Sequence, residues 1–186
     1  SIHYAEQFLN SVDEIKAFTL FEEDTIREIQ FGIEEDGETI ENIIDQIKTD
    51  VDIPGLNPAS GGHLGYIPGG GIYSTAIGDY LAAVFNKYAG IYYAGPGVVK
   101  MENTLIRWMC KLVGFPESSL GNLTSGGSIA TLIAIATARD AKGISGSSVS
   151  KAVIYLTEQA HHSVDKAIRI AGLQDAHITY VPVDNH

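Results

Sequence analysis

The chain has 186 residues, 12 Lys+Arg against 23 Asp+Glu and a formal net charge of −11, with 45% hydrophobic and 19% charged residues. That balance excludes a disordered chain and argues against a phosphate backbone or an anionic membrane surface as the main partner. No apolar run is long enough to cross a membrane, and the single cysteine, Cys110, cannot close an internal disulfide, so a reducing, cytoplasmic setting is expected.

The amino terminus has no basic region followed by an apolar core, so no secretory leader is expected. The first fifty residues read as helices. Tyr4, Phe8, Leu9, Val12 and Ile15 fall on one helical face, and Ile40, Ile43, Ile44 and Ile47 repeat the pattern. Two acidic clusters between them, Glu22-Glu23-Asp24 and Glu34-Glu35-Asp36, read as solvated surface. From Ile53 to Gly71 proline and glycine dominate, yet Leu64, Tyr66 and Ile67 are embedded among them. A flexible linker lacks such side chains, so the stretch is expected to be an ordered loop that wraps something.

A helix is predicted over Thr75–Lys87, with Ile77, Leu81, Val84 and Phe85 on its buried side, ended by the segment Gly90–Gly97. A strongly periodic helix follows from Val98 to Val113. Met101, Leu105, Trp108, Met109 and Leu112 share one of its faces, and Trp108 and Cys110 read as packing residues. The apolar run from Ile129 to Asp140 is long enough for a helix, and residues 142–150 form a small-residue loop. Residues 152–156 suit a strand buried on both faces, residues 163–171 a helix and residues 177–183 a second strand. Helix and strand alternating in this way predict an α/β domain with a parallel sheet. The chain is read as two segments, 1–97 helical with glycine-rich loops and 98–186 the start of a larger α/β domain.

Two places carry chemistry. Thr124-Ser125-Gly126-Gly127-Ser128 opens a helix, where unpaired N–H groups and the positive end of the helix dipole meet glycines that let an anion come close. Neither the nucleotide-binding loop ending in Gly-Lys-Ser/Thr nor the Gly-x-Gly-x-x-Gly fingerprint is matched, so the expected ligand carries one phosphate; an N-cap on a flexible turn is the alternative. Glu158-Gln159-Ala160-His161-His162-Ser163 lies just past a predicted strand, where ligands of parallel sheets gather. An imidazole there is placed to stack on a bound ring or to be an ordinary surface residue. Adjacent histidines in extended chain point to opposite sides and no cysteine or carboxylate stands at ligand spacing, so no metal site is expected.

Taken in order, four motifs resemble one family: residues 63–71 (HLGYIPGGG), Met101-Glu102 with Trp108, residues 123–130 (LTSGGSIA) and residues 159–167 (QAHHSVDKA). The family is that of the group II pyridoxal-phosphate-dependent amino-acid decarboxylases, relatives of aromatic-L-amino-acid decarboxylase, and the resemblance covers roughly residues 38–184. It implies a fold-type I, transferase-like α/β fold and a homodimer with active sites near the interface, residues 1–97 contributing to dimerisation and to the border of the site. By this resemblance Gly126, Gly127 and Ser128 hold the cofactor phosphate, and His161 stacks over the pyridine ring and aids catalysis. Tyr66, Pro68 and Gly69 border the substrate pocket. Gly69-Gly70-Gly71 stands where the aromatic enzymes carry bulkier or hydroxylated residues. Tyr92 and Tyr93 lie in a segment that in relatives reaches toward the partner's site.

The family's Schiff-base lysine and the aspartate that pairs with the pyridine nitrogen fall beyond the position of His186; Lys166 matches neither. The chain is therefore expected to be the amino-terminal part of an enzyme and inactive by itself. The implied reaction is decarboxylation of an L-amino acid, an aromatic one by preference. Alternatives are decarboxylation of glutamate, cysteine sulfinate or histidine, aldehyde synthesis or carbon–carbon cleavage with the same cofactor, a non-catalytic dimerisation or regulatory role, and a different phosphate-binding protein.

Overall fold

The structure, a computed structural model, describes residues 2–29, 32 and 35–184. Glu34 of the second acidic cluster, and Asn185 and His186 at the end of the second segment, lie outside the described residues. The chain divides into two units, Ser1–Asn86 and Lys87–His186.

In the first unit the expected stripe from Tyr4 to Ile15 is not one helix. Helix α1 (Ile2–Asn10) stops before Ser11, whose hydroxyl donates back to the Gln7 carbonyl at 2.9 Å. A single 3-10 turn, Val12–Glu14, follows, and Ile15 is extended. The first fifty residues are also not purely helical. Strand β1 (Phe18–Thr19) pairs antiparallel with β2 (Gly55–Leu56), Phe18 opposite Leu56. Buried Ser60 ties this pair down, its hydroxyl donating to the Ile15 carbonyl at 2.6 Å. Helix α2 (Glu23–Glu28) is short, and α3 (Ile40–Gln46) starts at Thr39, whose side chain accepts from the Asn42 N–H at 3.2 Å. It runs on as a π-helical segment, Ile47–Asp52.

Helix α4 (Tyr73–Phe85) ends at Asn86, in the left-handed region at φ 43°, before the glycine segment expected to stop it. Its expected buried side is not buried: Ile77, Leu81, Val84 and Phe85 are all exposed. The loop before it wraps none of the described residues either, since Leu64, Tyr66 and Ile67 stand almost wholly in solvent. Among the described residues of their own unit these apolar groups have no covering surface, so periodicity identified the helix while its face is exposed.

In the second unit α5 (Pro96–Leu112) starts on proline, whose missing N–H costs nothing in a first turn. Gly95 before it is buried, and a Cβ there would lie 2.5 Å from the Tyr88 carbonyl oxygen. The face expected to pack, Met101 through Leu112, is exposed, Trp108 included. The covered stripe is instead Val98, Glu102, Ile106 and Cys110, with Ile106 buried. Helix α6 (Gly127–Ala141), a 3-10 segment (Gly146–Lys151), β3 (Val153–Leu156), α7 (Ser163–Ile170) and β4 (His177–Tyr180) follow. Strands β3 and β4 are parallel, from Val153 opposite His177 to Leu156 opposite Tyr180. β4 ends short of Val183, where Pro182 has no N–H to give the ladder.

The core of this unit is Val149, Ile168, Ala171, Leu173 and Ala176, with Leu132 and Ile135 of α6 and Ile154, Leu156 and Ile178 of the strands packed on it. β3 is therefore covered on one face only: Ile154 and Leu156 turn inward while Val153 and Tyr155 are exposed. Arg139, near the end of α6, donates to the Ala171 carbonyl at 2.6 Å and holds Asp140 at 2.8 Å, tying α6 to the far end of α7.

Candidate functional site

The start of α6 is open. Gly126 is the N-cap at φ 156°, ψ 169°, a conformation almost reserved for glycine, and no side chain caps the helix. The first helical bond runs from the Ala130 N–H to the Gly126 carbonyl at 3.1 Å, so among the described residues the N–H groups of Gly127, Ser128 and Ile129 have no acceptor. Thr124 is engaged, its hydroxyl donating to the Gly126 carbonyl at 3.1 Å. Ser125 and Ser128 are exposed, and the first turn holds no acidic residue. A Cβ built on Gly127 meets nothing within 4 Å, so its lack of a side chain answers no need of the packing. Three unpaired donors, two exposed hydroxyls and the positive end of a fifteen-residue helix suit one oxyanion. The expected cradle of Gly126, Gly127 and Ser128 is thus one continuous surface.

His161 lies between β3 and α7, beyond the carboxyl end of β3, in the same unit as the cradle. Its Nδ1 is 2.8 Å from the Ser163 hydroxyl and accepts the Ser163 backbone N–H at 3.2 Å. Ser163 is buried as the first residue of α7, while the His161 ring is exposed. The neighbouring histidines do not point apart as expected. His162 is already helical (φ −56°, ψ −17°), which brings the two ring centroids to 4.0 Å with planes tilted by 38°. Among the described residues no third His, Cys, Asp or Glu joins them. A cavity of about 320 Å³ opens past the ends of β3 and β4, lined by Glu158, Gln159, Tyr180 and residues 181–183.

The residues expected to border the substrate lie in the other unit. His63 holds their loop in shape: its Nε2 donates to the Pro68 carbonyl at 3.0 Å, and its ring stacks on Tyr66 with centroids 6.4 Å apart. Tyr66 takes φ 64°, uncommon for a residue with a Cβ. Gly70 is needed where the chain crosses Ala59, whose Cα would stand 3.0 Å from an added Cβ; Gly69 has open space around it. Tyr92, Tyr93 and Lys166 are exposed.

Sequence reasoning missed Ser163, although a hydroxyl two residues after a histidine is a readable signal for a local bond to the ring. It also missed the pairing of Tyr4 with Asp52, 48 positions apart. The two line a cavity of about 230 Å³ with Lys16, Lys48 and Asn57. Burial, then the hydrogen bond to Asp52 and that carboxylate's charge, push the Tyr4 phenol up to about 12.

A model of the pyridoxal-dependent decarboxylase conserved domain matches residues 22–186. Aromatic-L-amino-acid decarboxylase of Bacillus atrophaeus is 36% identical over 145 residues, which is 78% of this chain and 28% of that protein. Catharanthus roseus tryptophan decarboxylase, solved in complex with L-tryptophan, superposes with a TM-score of 0.79 at 21% identity, covering 98% of this chain and 40% of that one. The glutamate decarboxylase domain of a Vibrio parahaemolyticus diaminobutyrate-pyruvate transaminase and L-2,4-diaminobutyrate decarboxylase reaches 0.75 at 18% identity, over 98% and 43%. The chain thus spans less than a third of the length of that Bacillus relative. The structural likeness shows the fold-type I α/β architecture.

Proposed function

The chain belongs to the pyridoxal-dependent decarboxylase family, and from that premise we propose that it is part of an enzyme that removes CO2 from an L-amino acid and leaves the amine. The observation that carries the reading is the α6 tip, with its three unpaired N–H groups, exposed Ser128 hydroxyl and bare Gly127. These residues fit the phosphate of pyridoxal phosphate. The cofactor, when bound, supplies an electron sink for the charge left on Cα as CO2 departs.

The chain's own residues bind and orient. Gly127 and Ser128 donate to the phosphate, and Gly126 sets the turn that presents them. His161, exposed beyond β3, lies against the pyridine ring and limits its tilt, because its own ring is held through Nδ1. Tyr66, Pro68 and Gly69 border the substrate in a loop that His63 keeps in one shape. No residue of this chain is assigned as the Schiff-base lysine or as the aspartate toward the pyridine nitrogen, and the chain alone is proposed to be inactive. The whole protein works as a homodimer, with residues 1–97 serving dimerisation and the border of the site and residues 98–186 beginning the cofactor domain. The free cysteine, Cys110, supports a reducing, cytoplasmic setting. Among the described residues no helix is long and apolar enough to cross a membrane.

An aromatic substrate is the preferred assignment, supported by the Bacillus relative's name. The test is the whole protein with pyridoxal phosphate, assayed for CO2 and amine over a panel of aromatic amino acids, glutamate, cysteine sulfinate and histidine. Aromatic amines are the expected products; turnover of glutamate alone overturns the substrate assignment, and no turnover with any member overturns the activity. In the same protein His161→Ala lowers turnover by about 100-fold or more, the scale of a positioned catalytic side chain, with little change in thermal stability. Unchanged turnover removes His161 from the site.

A further inference from the structure

We infer that Ser163 is a positioning residue that fixes His161 as the tautomer carrying its proton on Nε2, so that the exposed edge of the ring is a hydrogen-bond donor. The inference deepens the reading of His161 as the group lying against the cofactor, and its functional arm rests on that reading; the tautomer itself does not.

The backbone geometry points to one solution for the neutral ring. A backbone N–H only donates, and that of Ser163 is directed at His161 Nδ1 at 3.2 Å. A ring nitrogen that accepts has no hydrogen of its own, so the single proton of neutral imidazole sits on Nε2. The Ser163 hydroxyl stands 2.8 Å from the same nitrogen, within reach to donate to it once the ring proton is on Nε2. Ser163 is itself firmly placed. It is buried, and as the first residue of α7 its N–H belongs to the group that a helix start leaves without an internal partner. Its neighbour Val164 and, one turn on, Ile168 anchor α7 in the core of the unit. The position of Nδ1 is thereby referred to the core through two bonds. The His162 ring, with its centroid 4.0 Å from that of His161, closes one side against rotation.

The consequence concerns chemistry at the free edge. A neutral His161 held this way offers N–H to an acceptor oxygen or nitrogen and has no lone pair there with which to take a proton. It orients an acceptor and does not serve as a base from that edge.

The experiment reads the tautomer directly. The full chain is labelled with 15N-histidine, two-bond 1H–15N correlations are recorded at a pH where the ring is neutral, and the His161 signals are assigned by their loss in His161→Ala. The Nε2–H pattern is expected in the wild type. Ser163→Ala, which removes the hydroxyl and keeps the backbone N–H, is expected to loosen the ring yet to retain the Nε2–H pattern. Ser163→Thr, which keeps the hydroxyl, retains it. In the whole enzyme Ser163→Ala lowers kcat about tenfold with KM changed by less than about twofold, as for other groups that orient a functional histidine, and Ser163→Thr restores it. An Nδ1–H pattern, in the wild type or in Ser163→Ala, overturns the inference. If the Nε2–H pattern is found while His161→Ala leaves turnover intact, the tautomer assignment stands and the placing of His161 against the cofactor falls.

Discussion

Gly126 and Gly127 are neighbours with different reasons to be glycine. At Gly126 the backbone demands it: φ 156° with ψ 169° strains any side chain, although nothing stands within 4 Å of an added Cβ. Gly126→Ala is therefore expected to cost about 1–3 kcal/mol in chemical denaturation. At Gly127 neither the backbone nor the packing demands it. Gly127→Ala is expected to leave stability unchanged or slightly raised, because alanine favours the helix, while weakening retention of pyridoxal phosphate as followed by its visible absorbance. Loss of stability in Gly127→Ala with cofactor retention intact would make that glycine structural. Tyr4 gives a prediction in pH. Its phenol is raised to about 12 by burial and by Asp52, against about 10 in an unfolded chain. A raised folded value favours the protonated form, so the contribution is complete below pH 10 and lost between about 10 and 12. Wild type is expected to be more stable than Tyr4→Phe at pH 8, with the gap closing as pH rises through that window; a gap that persists at pH 12 contradicts the pairing with Asp52.

Helix α7 shows what an element contributes beyond its residues. It presents Ile168 to the core and Ser163 to His161, and its far end is held by Arg139 from α6. Ile168→Ala, at a nearly fully buried position, is expected to cost about 2–5 kcal/mol. That loss should loosen the seat of His161 as well, which a fall in both denaturation midpoint and turnover would report. Helices α4, α5, α6 and α7 and the parallel pair were legible because each follows a 3.6-residue or an apolar strand pattern over enough positions to stand out. The β1–β2 pair was not, since two residues carry no period and Phe18 and Leu56 are joined only by tertiary folding. The break at Ser11 was missed because apolar spacing continues through it to Ile15. At the site, the glycines of the cradle and the strand-end histidine were readable as types in order. The contact of His162 with His161 was not, because it depends on His162 having entered the helical region.

The two units differ in what they bury. Among the described residues every buried apolar side chain lies in the second unit, while the only buried residue outside glycine in the first is Ser60. The first unit nevertheless carries a dense apolar set, Leu64, Tyr66, Ile67, Ile72, Ile77 and Phe85 among it, all exposed. Exposed apolar residues in such number are more than single scattered ones, and they fit a surface that further polypeptide covers. Since residues 1–97 are proposed to serve dimerisation, the cover is assigned to a second copy together with the rest of the polypeptide. Ile77→Asp tests that assignment with little effect on the unit's own packing, because Ile77 is already in solvent. A buried, unpaired carboxylate at an interface is costly, so the whole protein is expected to shift from dimer toward monomer in sedimentation equilibrium, by about tenfold or more in dissociation constant. Turnover should fall in parallel at low protein concentration and recover partly at high concentration, as a site bordered by two copies requires. If the variant stays dimeric with full turnover, the α4 face is not part of the contact between copies, and the border role of Tyr66, Pro68 and Gly69 must then be exercised within one copy.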